Sequence, residues 1–137
     1  MDDRIKLADL SFNHPRAGAT VASLYMSTYT TAIGTPALFL RDPETDEPLW
    51  VLSSNMVDYG VEPDEFCTYF KGYAENEGLL EILVATGIIE CTGRCVKMTH
   101  VSFPEVKINA TPEAWEEFRL LCHRAANPNE SEPNNEI

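Results

Sequence analysis

A chain of 137 residues with 44% apolar side chains is long enough for one domain that buries roughly two thirds of the surface its unfolded form exposes. No apolar run approaches the roughly 20 residues that cross a bilayer, and four cysteines at irregular spacing do not make a disulfide framework. The formal charge is −12, from 22 carboxylates against ten scattered Lys and Arg, and the absence of a basic patch with interleaved aromatics argues against direct binding of nucleic acid.

Residues 1–18 have mixed composition and are expected as a lead segment that closes in a turn at His14, Pro15, Arg16, Ala17 and Gly18 before regular structure begins. The charged start of the chain has no apolar core or small-residue cleavage site behind it, so a secretory leader is not expected and the cytoplasm is the expected compartment. Residues 20–30 read as the first strand, with Val21, Tyr25 and Tyr29 on one parity and Leu24 and Met26 on the other. Apolar runs at 36–41 and 48–53 flank the turn-forming residues 42–47 and predict a hairpin. Residues 63–70 predict a further strand. The clearest helix is expected over 77–86, where Leu79, Leu80, Leu83 and Val84 recur at helical spacing, with Asn76 as its N-cap and Gly87 as its stop. One or two strands fit residues 88–108. Thr111, Pro112 and Glu113 then combine a cap, a proline at the first helical position and an early acid, and predict a second helix with Trp115, Phe118, Leu121 and Cys122 on its apolar face. Residues 127–137 are too polar to repay ordering and are expected to be a disordered acidic tail. The expected fold is a single α+β domain over residues 19–126, an antiparallel sheet of four to six strands with one packed helix and a C-terminal helix.

Charge is concentrated in the middle. Residues 42–90 hold twelve carboxylates and one lysine, a local −11. Asp42, Glu44, Asp46 and Glu47 lie in the expected hairpin turn; Asp58, Glu62, Asp64 and Glu65 lie in a loop between two strands; Glu75 and Glu77 lie near the positive pole of the first helix. Spread over one face, eleven charges would imitate about 19 Å of duplex at one charge per roughly 1.7 Å. The plain alternative is a solvated surface that keeps the chain soluble, and for Glu75 and Glu77 simple helix stabilisation. Tyr59, in a loop beside Asp58 and Gly60, is a candidate interface anchor.

Chemistry-bearing patterns are weak. Cys91 and Cys95 flank Thr92, Gly93 and Arg94; they could face each other across a tight hairpin, or supply two ligands to zinc with His100, Cys122 or His123, but the spacing is not diagnostic and incidental cysteines are the simpler reading. Cys67 is expected in the core. Cys95 and His100 fail as a nucleophile–base pair, since five residues of strand would separate them by about 17 Å on opposite faces. The glycines are dispersed and make no phosphate-cradling loop. No catalytic residue, metal or cofactor is assigned.

The segment Glu75-Asn76-Glu77-Gly78-Leu79-Leu80-Glu81, with the later Thr92-Gly93-Arg94, resembles a family of short uncharacterised proteins carried by bacterial plasmids, phages and other mobile elements. The likeness extends over about residues 35–108 and implies genomic neighbourhood more than mechanism. The expectation is therefore a non-enzymatic mobile-element protein whose acidic face engages a basic host protein or nucleoprotein complex, as a nucleic-acid mimic that inhibits a defence system of the anti-CRISPR or anti-restriction type. The candidate contact residues are Asp42, Glu44, Asp46, Glu47, Asp58, Tyr59, Glu62, Asp64, Glu65, Glu75 and Glu77. The alternative is a small accessory module, a homodimer included, that docks through apolar strand edges while acidity serves only solubility.

Overall fold

The computed structural model describes residues 3–128. They form an α+β fold of two four-stranded antiparallel sheets and two α-helices around a shared core. The first sheet is a meander of β1 (Ile5–His14), β2 (Gly18–Tyr29), β3 (Ala32–Arg41) and β4 (Pro48–Val51), in that spatial order. The pairing of Leu24 with Leu40 and of Met26 with Leu38 puts the even-numbered residues of β2 and β3 on one face, where all four side chains are fully buried. The opposite parity points outward: Val21 is 58% exposed, while Tyr25 and Phe39 stack on each other and the Arg4 guanidinium lies 4.3 Å above the Tyr25 ring.

The region expected to be a lead segment is strand β1, paired along its length with β2. A register irregularity between Lys6 and Ala8 is why alternation did not reveal it. Ile5 faces the core before the irregularity and Leu10 after it, so the apolar parity switches from odd to even within one strand. Of the expected disordered tail, Asn127 and Pro128 are described, with Asn127 closing the second helix; the rest lies outside the described residues.

The second sheet has the spatial order β5 (Ser53–Ser54), β6 (Cys67–Phe70), β8 (Ser102–Ile108), β7 (Ile89–Lys97). Thr68, Phe70, Val106 and Ile108 are fully or almost fully buried. Phe70, Val106 and Ile108 belong to the common core, and Thr68 Oγ1 donates to the Pro36 carbonyl at 2.7 Å, tying the two sheets along β3. On the other parity, Tyr69 and Phe103 join Met56 in a smaller cluster. Helix α1 (Leu79–Thr86) lies beside β7, and α2 (Pro112–Ala126) lies against β1, β2 and β3. None of the helices among the described residues is long and apolar enough to cross a membrane.

Both helix ends that the sequence marks with proline or glycine stand as expected. Thr111 Oγ1 accepts from the Ala114 N–H with Pro112 in the first turn, and Gly87 closes α1 at φ +82°. Asn76, however, is not the cap of α1. It sits in a 3-10 turn, Ala74–Asn76, fully buried, and its amide donates to the carbonyls of Val51 and Lys71 at 2.6 and 2.8 Å. The cap is Gly78, in the left-handed region at φ +88°. Buried carbonyls that need a donor outcompeted a helix end that water can solvate. The strand expected over 63–70 begins only at Cys67, because the chain turns first.

Candidate partner-binding surface

The candidate acids fall into separate groups, and their ion pairs distinguish them. In the β3–β4 turn, the Asp42 carboxylate accepts from the N–H groups of Glu44 and Thr45 at 2.8 and 3.0 Å; these two bonds, that from Thr45 foremost, hold its pKa below the ordinary value. Asp46 receives two hydrogen bonds from the Arg4 guanidinium at 2.7 and 2.9 Å, and its pKa is lowered by that contact. These two acids therefore build the turn. Glu44 and Glu47 are exposed and carry no ion pair among the described residues. Glu75 pairs with Lys71 at 3.0 Å and Glu77 with Arg16 at 3.7 Å, so both are locally compensated.

The loop between Met56 and Cys67 is the more informative region. Asp58 and the 68% exposed Tyr59 edge a shallow depression of about 420 Å³ whose other walls include Met98 and Phe103. Glu62, Asp64 and Glu65 border a larger groove of about 860 Å³ between this loop, the start of β3 and the first turns of α2. Its walls carry Phe66 stacked at a tilt on Trp115, ring centroids 4.8 Å apart, and Trp115 edge-on to Phe118 at 5.4 Å. The acids of the β3–β4 turn, Glu75 and Glu77 do not line this groove.

Two residues that the sequence did not mark as part of the surface, Glu105 and Arg94, hold the loop in place. Glu105 of β8 is fully buried; its carboxylate accepts from the Asp64 N–H at 2.9 Å and from Thr92 Oγ1 at 2.6 Å, and it lies 3.6 Å from Arg94 Nε. A buried charge persists only when paired and hydrogen-bonded, and these contacts supply both. Arg94 also bridges to Asp64 at 2.9 Å and toward the Tyr69 hydroxyl at 3.4 Å. The sequence signal was a lone acid sharing parity with Phe103 in a strand, which is readable only once the burial of that parity is known. Immediately after Asp64 the chain makes a tight turn closed by Cys67 N–H to the Asp64 carbonyl, with Phe66 at φ +67°, where glycine is the usual occupant.

The cysteines offer no combined site. Cys91 and Cys95 lie on the single edge strand β7, both exposed and free, separated by an irregularity with Gly93 at φ +96°, so no hairpin brings them face to face. Cys67 is buried as expected, and burial, helped by Glu105, pushes its thiol up to about 11. Among the described residues, no three His, Cys, Asp or Glu side chains are grouped to hold a metal ion. The chain matches no protein-family model, no curated protein and no solved structure.

Proposed function

We propose that this is a non-enzymatic acidic binding protein of a mobile element that acts in the host cytoplasm on a basic, nucleic-acid-handling protein or nucleoprotein complex, as a nucleic-acid-mimicking inhibitor of a defence system. The observation that carries the reading is the imbalance left after pairing. Of the ten candidate acids, Asp46, Asp64, Glu75 and Glu77 have cationic partners, whereas Asp42, Glu44, Glu47, Asp58, Glu62 and Glu65 have none among the described residues. Six uncompensated charges equal those of about 10 Å of duplex, fewer than the local charge of −11 suggests, and they are divided among the β3–β4 turn, the depression beside Tyr59 and the groove beside Phe66. Supporting it is the sequence resemblance to mobile-element proteins.

The test uses the tagged full chain to capture partners from bacterial lysate, with low-salt and high-salt washes. A nucleic-acid-binding complex should be retained at about 0.1 M salt and released near 0.5 M, because screening weakens exposed charge pairing but not apolar burial. Glu44→Lys with Glu47→Lys should weaken retention by about ten-fold while the melting temperature holds, since neither carboxylate caps backbone N–H groups, as Asp42 does, or holds a guanidinium, as Asp46 does. Recovery of only salt-resistant partners or of the chain itself would overturn the proposal in favour of an accessory or oligomerisation module.

A further inference from the structure

We infer that the groove between the Glu62–Phe66 loop and α2 is a peptide site for a basic amphipathic segment of the partner, arginine on its rim and aliphatic or aromatic side chains on its floor. The inference rests on the reading above and names its recognition element. The floor is apolar and open: Ile33 is 43% exposed and Phe66 40%, beside the Trp115 and Phe118 rings. A volume of about 860 Å³ is at the upper end of ordinary ligand sites and exceeds what one side chain fills.

The rim decides the sign of the occupant. Four carboxylates border the groove against one guanidinium, Arg119, and that guanidinium is committed to Glu116 through bonds of 3.1 and 2.6 Å. With Asp64 held by Arg94, Glu62 and Glu65 are left uncompensated among the described residues. A second copy would bring like charges together, and a nucleic acid would add phosphates to carboxylates; both are disfavoured. An arginine-bearing segment satisfies both parts, because its planar guanidinium pairs with a carboxylate and stacks on an aromatic face. The loop is also preorganised, fixed by the buried Glu105 at Asp64 and by the Ile108 N–H donated to the Phe66 carbonyl at 2.8 Å, so little ordering is left to oppose binding. Phe66 holds its ring in the groove from a left-handed backbone that an L-residue with a bulky side chain adopts at a cost.

Three fluorescein-labelled octapeptides distinguish the possibilities by anisotropy: alternating leucine and arginine, alternating serine and arginine, and alternating leucine and glutamate. The leucine–arginine peptide should bind, the serine–arginine peptide about ten-fold more weakly, and the leucine–glutamate peptide not at all. Phe66→Gly should weaken the leucine–arginine peptide about ten-fold while the chain stays folded, because the positive φ that glycine suits offsets part of the lost stacking on Trp115. Glu62→Lys with Glu65→Lys should weaken it similarly. Glu81→Lys with Glu90→Lys, which changes the total charge equally but lies outside the groove, should not. Indifference of binding to Phe66→Gly, or equal loss in the two charge-reversal pairs, would overturn the groove and leave the acidic-partner reading standing. Peptide binding that behaves as expected while lysate capture finds no salt-sensitive partner would instead remove that wider reading and keep the peptide site.

Discussion

Gly78 meets two independent requirements. Its φ of +88° suits glycine, and a Cβ there would lie 2.7 Å from Cγ of Pro15 in the β1–β2 turn. Ring closure onto the backbone leaves that carbon only a change of pucker by which to give way. Gly78→Ala should therefore cost at least about 1 kcal/mol, and more if the turn must move, read as a lower urea midpoint with an unchanged slope. His14 secures the same junction. Its Nδ1 accepts from the N–H groups of Arg16 and Ala17 at 3.0 and 3.1 Å, and its Nε2–H donates to the Glu75 carbonyl at 3.1 Å. Its ring stacks on Trp50 with centroids 4.4 Å apart. The sequence presents His14 as an isolated turn residue and Asn76 as a helix cap. Both are buried polar clasps, because their partners lie 61 and 25 residues away and no local pattern encodes them.

Elements were legible where their signals are local. The α2 start is one such case, since a cap, a proline and an acid within three residues act on the same few N–H groups. Thr111→Ala should remove the bond to the Ala114 N–H and cost about 1 kcal/mol, visible as a lower thermal midpoint; an unchanged midpoint would mean that α2 is held by Ala114, Phe118 and Leu121 packing alone. The β3–β4 hairpin was equally readable, its turn residues lying between two apolar runs. Strand β1 was hidden by a parity switch at its irregularity, and the true start of β6 by Phe66, whose positive φ contradicts the extended pattern its neighbours suggest. The second sheet was foreseen only as further strands. Its pairing of β6 with β8, in place of the sequential neighbour β7, is a matter of long-range contacts.

At the scale of the molecule, the acids divide into those that build the fold and those left to solvent or a partner. Asp42 and Asp46 have lowered pKa values against an ordinary 3.8, so the folded state favours their charged forms. The stability they contribute is present above about pH 4 and is lost as pH falls through the lowered values. Uncompensated acids act oppositely, since acid relieves the self-repulsion of a chain at −12. Calorimetry from pH 7 down to about 2 should show the melting temperature falling below about pH 4, with Asp46→Asn showing a smaller fall than the wild type because its contact with Arg4 no longer titrates; parallel curves would refute this role for Asp46. Composition and local pattern by themselves determined an α+β chain with antiparallel strands, two helices of which the α1 stop and the α2 start were readable, and a negative middle, because propensity, capping and charge are properties of neighbours along the chain. Only the tertiary structure decided which acids are spent on Arg4, Arg16, Lys71 and Arg94, that Glu105 is buried beneath the Asp64 loop, and that Phe66 meets Trp115 beside Glu62 and Glu65, because pairing, burial and groove walls are made by residues that packing brings together from far apart.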